Sequence, residues 1–500
     1  MAKKFMRYRR DQCWACSVLM LNCLVSALTF VFVCGFGGTT NADNIVSCSD
    51  EGAKQRPNIV MIIADDQLYS DFGFMGNGSV RTPNLDELAS QAAIYTDAYV
   101  PSSVCRPSLA TLLTGLYPHQ HGVHFNHPPP GFAKLTRSPE VDQKEFDRLR
   151  GQAEHLIRNR QTLPRILASR GYRCFQTGKH WEGHWKNAGF TEGMTIAKPS
   201  GGRYGDKQLA NGDWVAHGNG DRGLAIGRET MQPIEAFLDD VQETPFLLWY
   251  APFMPHTPHD SPAKFKRAVA ADAGVEAYQI PYYSSIMHFD ETVGDLIRMI
   301  DQRGMRDKTL FVFVSDNGWE PDPERFRKSS QEWDHTRRSK RSPFEPGLRT
   351  PVLLHWRGHT RHAKHTGLVN TIDLLPTLLD AADVQVKPDG LPGISLWPSA
   401  LGTQMLSDER AVFGEIYPGD ASSIDAPEDD IAYRWIRKGK YKLITPASKG
   451  RKSPWNNYLE EPALFDLMVD PEEKNNLHGD PGHAEVVASL MEALNRWWSP

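Results

Sequence analysis

The chain has 500 residues, 40% of them hydrophobic and 23% charged, a composition that excludes disordered and fibrous classes and suits a soluble globular enzyme. Its formal net charge is −5 and no basic block lies outside the N-terminus, which argues against a nucleic-acid partner. The length allows one large domain plus a smaller one, or two of moderate size.

Residues 1–42 read as a signal peptide. Lys3, Lys4, Arg7, Arg9 and Arg10 precede an apolar run over 18–36, and Thr40-Asn41-Ala42 offers small residues for cleavage after Ala42. The expected address is therefore periplasmic or extracellular, with no stable membrane association. A retained anchor over 18–36 is the competing reading, because that run is nearly long enough to span a bilayer. A lipoprotein site at Cys34 fits less well, since Val33 precedes it. Four of the seven cysteines lie in this segment. The mature chain keeps Cys48, Cys105 and Cys174, too few for a disulfide scaffold. Cys48 and Cys174 are able to pair, which leaves Cys105 as the thiol to explain.

From Pro57 onward, strand-like apolar runs alternate with helical patterns. Asn58–Ala64 (NIVMIIA) is a continuous apolar strand of the kind buried on both faces. Helical periodicity follows in NLDELASQAAIY, residues 84–95. The stretch SSVCRPSLATLLTG (102–115) mounts Cys105 on a helix start, with Pro107 suited to the first turn. Unpaired N–H donors and the helix dipole there would favour an anion held against Cys105; a buried structural cysteine is the alternative. Residues 126–160, charged and containing Pro128–Pro130, and 199–228, rich in Gly, Asn and Asp, read as surface insertions forming a substrate rim. TLPRILASRGY (162–172) is helical and precedes a strand over 173–177. Helices over 230–241 and 283–302 precede strands at Phe246–Ala251 and 310–315, and a strand at 351–356 is followed by a helix over 371–382. This alternation predicts an α/β fold, a mostly parallel central sheet with helices on both faces, over residues 56–400. Residues 401–500 read as a small α+β domain with an antiparallel sheet: a hairpin over 432–444, a short strand in LFDLMVDPEEKNNL, and an amphipathic helix over 483–498.

Four strands end in residues suited to chemistry: Asp65-Asp66, Gly178-Lys179-His180, the run to His256-Thr257-Pro258-His259, and Asp316-Asn317-Gly318. In an open parallel sheet, ligands bind beyond the carboxyl ends of the strands, so these groups are expected to converge. Asp65, Asp66, Asp316 and Asn317 are hard oxygen donors, suited to Ca²⁺ or Mg²⁺ rather than zinc. Lys179, His256 and Lys340, the last in the basic run RRSKRS, would add positive charge or hydrogen-bond donors for a tetrahedral oxyanion.

From about Arg56 to the C-terminus the chain resembles the type I, formylglycine-dependent sulfatases of the alkaline-phosphatase-like superfamily. The resemblance rests on PNIVMIIADD, the CxPS…LLTG segment, GK after the third strand-like element, PHTPH, SDNG, KRSPFEPGLRTP, NTIDLLPTLLDAA and LFDLMVDPEEKNNL, in that order. It implies oxidation of Cys105 to Cα-formylglycine by a maturation enzyme. One hydroxyl of the hydrated aldehyde then attacks sulfur, and the second expels sulfate, which splits one difficult displacement into two easier steps. It also implies Asp65, Asp66, Asp316 and Asn317 as calcium ligands beside residue 105, and Lys179, His256 and Lys340 as sulfate contacts or proton-transfer groups. His256 is the first choice of general acid and Lys340 the second.

Two positions depart from the family pattern. Leu109 stands four residues after the cysteine, where the family has Arg, and Arg106 faces elsewhere on the helix. After Lys179, GKHWEGHW replaces the family's GKWH, so His180 takes the histidine role, with His184 as the alternative. The expected activity is hydrolysis of sulfate esters, of sulfated carbohydrate or a small molecule. A phosphodiester or phosphonate hydrolase of the same superfamily and a glycan-binding relative without turnover are the other readings.

Overall fold

The segment Asn58–Ala64 forms strand β1, buried along its whole length as its apolar run requires. In chain order there follow β2 (Ala93–Tyr99), β3 (Arg173–Gly178), β4 (Glu192–Gly193), the small pair β5 (Lys207–Gln208) and β6 (Trp214–Val215), β7 (Phe246–Ala251), β8 (Thr309–Ser315), β9 (Arg349–Trp356), β10 (Ala363–His365) and β11 (Val369–Asn370). The structure, a computed structural model, describes residues 56–202, 206–216, 222–320, 338–385, 387–417, 419–447 and 458–500. The predicted signal peptide and Cys48 lie outside the described residues.

The large sheet runs β10-β2-β9-β8-β1-β7-β3-β4, with β11 beside β2. Its centre is parallel: β1 pairs with β7 and β8, and β3 with β7. Only β9 runs antiparallel to its neighbours β2 and β8. Side chains alternate across β1, so Ile59, Met61 and Ile63 enter one core layer and Val60, Ile62 and Ala64 the other. Helices Cys105–Thr114 and Leu374–Ala381 cover the first face; Gln232–Val241 and Ile280–Gln302 cover the second.

The antiparallel sheet β12 (Ala411–Ile416), β13 (Tyr433–Lys438), β14 (Tyr441–Pro446) and β15 (Ala463–Asp466) carries the helix Ala484–Trp497 on one face through Leu490 and Leu494. Its other face packs Trp435, Ile444 and Phe465 against Tyr99, Phe344 and Leu348. Among the described residues, no helix is long and apolar enough to cross a membrane.

Two expectations change. The helix predicted over 84–95 spans only Pro83–Ala89; residues 93–99 are strand β2, because β-branched and aromatic side chains there complete a sheet position between β9 and β10. The stretch 126–160 is not merely a surface insertion. It contains the 16-residue helix Gln143–Arg158, whose Phe146, Arg150, Ala153 and Ile157 are buried.

Candidate active site

Register places the strand ends side by side. Ala64 pairs with Ser315, and Gly178 with Ala251, so Asp65, Asp316 and Lys179 leave the sheet at one edge. Each exit is sharp. Asp66 takes a left-handed backbone (φ 64°), uncommon for a residue with a side chain and costly unless its surroundings fix it. Gly178 (φ 73°) has no space for a side chain: a Cβ would lie 1.9 Å from Ala251 O.

The acidic groups converge as predicted. Cys105 Sγ lies 3.9 Å from Asp65 Oδ1 and 3.8 Å from Asp66 Oδ1. Asp66 N–H donates to Asp316 Oδ1 (3.1 Å), and Asn317 Nδ2 donates to Asp66 Oδ1 (2.6 Å). Lys179 Nζ bridges Asp65 and Asp316, 3.0 Å from Asp316 Oδ2. Lys340 Nζ lies 2.7 Å from Asp66 Oδ2 and 3.2 Å from Glu320 Oε2, and His256 Nε2 lies 3.4 Å from Asp66 Oδ2. The carboxylates of Asp65, Asp66, Asp316 and Glu320 are thus held by Lys179, Lys340 and Arg341.

Two buried oxygens, Asp65 Oδ2 and Asn317 Oδ1, have no hydrogen-bond partner among the described residues. An orphaned carboxylate oxygen and an amide oxygen, both hard donors in a cluster of carboxylates, fit a divalent cation of the Ca²⁺ or Mg²⁺ type.

Burial sets the protonation states. It drives the Cys105 thiol well above its ordinary pKa, despite Lys179 and Lys340. Burial also pulls His256 down to about 4, against Asp66, which leaves the imidazole neutral near pH 7. Lys340 is buried too, yet Asp66 and Glu320 outweigh that penalty and hold it as an ammonium.

The helix Cys105–Thr114 begins at the predicted nucleophile and is buried on every side. Arg106 N–H donates to Asn126 Oδ1 (3.0 Å), Pro107 has no N–H, and Ser108 N–H closes on Val104 O. Leu109 packs in the apolar core with Leu112 and Leu113, and Arg106 turns away to Glu182. His180 is buried against Phe190 and the His184 backbone, while His184 caps the short helix Trp185–Ala188.

Three residues carry parts of the site that sequence reading missed. Glu320, two positions after Gly318, contacts Lys340, His256 and Arg341. Phe253 stacks on His256 (4.2 Å, 24°). Arg228, in the supposed rim, donates from Nη2 to the carbonyls of Phe253, His256 and Pro258 at 2.7, 3.0 and 3.1 Å, and so fixes the His256 loop. Glu320 lies in the loop that opens with Asp316-Asn317, five residues past the end of β8, and that proximity would have pointed to it; nothing in the local sequence singles out Arg228.

The chain belongs to the sulfatase family of the alkaline-phosphatase-like superfamily: the family's model matches residues 57–384, and a model for the N-sulphoglucosamine sulphohydrolase C-terminal region matches 333–499. It is a sulfatase. It is 30% identical to arylsulfatase A of Homo sapiens, over 88% of this chain and 86% of that protein. To an ulvan-active sulfatase of Formosa agariphila it is 26% identical, over 91% of this chain and 83% of that protein. The fold is shared with the solved complex of Ps i-CgsB with k-i-k-neocarrahexaose (TM-score 0.65, 22% identity, 89% of this chain and 93% of that one). It is also shared with a structure bound to its substrate D-glucosamine-2-N,6-O-disulfate (TM-score 0.60, 18% identity, 88% and 97%).

Proposed function

We propose that this sulfatase is exported and removes sulfate from carbohydrate esters, using a Cα-formylglycine made from Cys105 by a maturation enzyme and a Ca²⁺ ion. The observation that carries this reading is the position of Cys105 Sγ, within 4 Å of Asp65 and Asp66, whose carboxylates are themselves held by Lys179 and Lys340.

Converted and hydrated, residue 105 supplies a hydroxyl for attack at sulfur and a second hydroxyl for release of sulfate. Asp65, Asp66, Asp316 and Asn317 would hold a Ca²⁺ ion, which would supply positive charge to a bound sulfate ester. Lys179 and Lys340 sit as ammonium groups beside residue 105 and balance the charge of an incoming sulfate ester. Lys340 holds a proton in the resting site and is the donor for the leaving oxygen; His256, neutral at rest, hydrogen-bonds and gains charge only when an anion binds. His180 is buried against Phe190 and stays neutral at rest.

Sulfated carbohydrate is proposed from the kinds of ligand in the related complexes and the predicted export. Desulfation of a panel of sulfated glycans, beside matched phosphate esters, tests the reading. Sulfate release from glycans is expected; turnover of the phosphate esters alone would favour the phosphodiester alternative, and Ca²⁺ binding without any turnover the glycan-binding one.

A further inference from the structure

We propose that Glu473, in the C-terminal region, is a positioning residue for Lys340. Lys340 lies on the segment 339–348, which is tied to the site on two sides. Arg341 N–H donates to Ser103 O (2.9 Å) and Ser103 Oγ to Ser342 O (2.8 Å), two residues before Cys105. Gly318 N–H, next to Asn317, donates to Gly347 O (3.1 Å), and a Cβ on Gly318 would lie 1.7 Å from Pro346 O. This segment therefore moves only together with both the nucleophile loop and the metal-ligand loop.

Its third tie comes from the antiparallel sheet. Glu345 opens the short helix Glu345–Leu348, and its N–H is one of the donors that a helix start leaves unpaired. Glu473 Oε2 accepts that N–H at 2.7 Å. Glu473 Oε1 lies 2.9 Å from Lys442 Nζ on β14, and the same ammonium lies 3.0 Å from Glu345 Oε1. Arg338, two residues before Lys340, donates to Glu473 O (2.8 Å). All three side chains of the Glu345–Lys442–Glu473 group are buried to 2% exposure or less, so the charges have little access to water and depend on one another.

Glu473 is also held in place at a conformational cost. Its φ is 55°, left-handed for a non-glycine residue, on a turn in which Asp470 accepts from Lys474 N and Asn475 N at 3.0 and 2.8 Å. Strain of this kind persists where the surroundings over-determine a position. Here it points a carboxylate at the segment that carries the catalytic ammonium. The antiparallel sheet thus acts as a clamp on Lys340 and does more than cover the core.

The inference rests on Lys340 acting in ester hydrolysis, and a double-mutant cycle separates the two claims. Lys340→Ala is expected to lower kcat by about 10²–10³. Glu473→Ala is expected to lower it by roughly 10- to 100-fold, the effect of a small displacement at a distance. Glu473→Gln, which keeps an acceptor for the Glu345 N–H, should recover most of that loss. In the Lys340→Ala background, Glu473→Ala should cost less than about twofold more, because the group it positions is gone. Losses that multiply in the double variant overturn the positioning role alone; wild-type kcat in Lys340→Ala overturns the assignment of Lys340 beneath it. If Glu473→Ala fails to fold, the neutral pair Glu473→Met with Lys442→Met replaces it. Wild-type kcat in that folded pair would equally refute the clamp.

Discussion

Arg106 and Glu182 are joined by two parallel hydrogen bonds, 2.7 Å from Nε to Oε1 and 2.9 Å from Nη2 to Oε2, and both side chains are at most 3% exposed. The pair ties the first turn of the helix that carries Cys105 to the loop three residues after Lys179. The arginine adjacent to Cys105 thus braces the site from behind, and Leu109 is free to fill the core.

Removal of one partner should be costly. Glu182→Ala leaves a buried guanidinium with no carboxylate, only the Phe125 and Ala153 carbonyls and the Phe125 ring beside it, and is expected to destabilise the fold by about 3–5 kcal/mol in chemical denaturation. Arg106→Lys should recover little, because an ammonium cannot reproduce the two-pronged geometry. A loss below about 1 kcal/mol for Glu182→Ala would show that the pair is not a structural brace.

Calcium should stabilise the protein as well as activate it. Chelation is expected to abolish turnover and lower Tm, and Ca²⁺ at about 100 times its Kd should restore about 2.7 kcal/mol of stability. Asp316→Asn should remove most of that Ca²⁺-dependent shift. A Tm that is indifferent to Ca²⁺ and Mg²⁺ would count against a metal at these four ligands.

Much of this site was legible in the sequence because strand ends announce themselves: an apolar run stops, and Asp65, Lys179 or Asp316 follows. Parallel pairing then brings those ends together, whatever their separation along the chain. Arg228 was not legible, since it acts through backbone carbonyls of a loop about 30 residues on, and carbonyl positions leave no trace in residue type. The Arg106–Glu182 pair was hidden for a related reason: its effect depends on side-chain direction, which periodicity alone does not give. The misread 84–95 stretch had an apolar spacing that suits a helix turn and a strand equally, and the sheet decided between them.

His180 offers a pH test. Burial holds its pKa down to about 3, far below the 6.5 of a free imidazole, so the folded state keeps it neutral while the unfolded chain takes up a proton below pH 6.5. Its contribution is therefore fully present above about pH 6.5 and is lost as pH falls from there towards 3. His180→Gln should flatten the dependence of Tm on pH across that window and leave the Tm difference between pH 7 and 8 unchanged. An unchanged acid slope would mean that His180 is solvated or paired in its charged form.

Arg228 should matter through His256. One nitrogen serves three carbonyls, a geometry that an ammonium also meets, so Arg228→Lys is expected to retain more kcat than Arg228→Gln. Equal losses in the two variants would assign Arg228 to packing over Phe253 instead.

The central claim is that residue 105 acts after conversion from cysteine. Mass spectrometry of the peptide carrying residue 105, on protein whose sulfate-ester turnover has been measured in the same preparation, tests it directly. Cα-formylglycine is expected at position 105, with kcat rising in proportion to the converted fraction across preparations. Full turnover from protein in which residue 105 is entirely cysteine would contradict it.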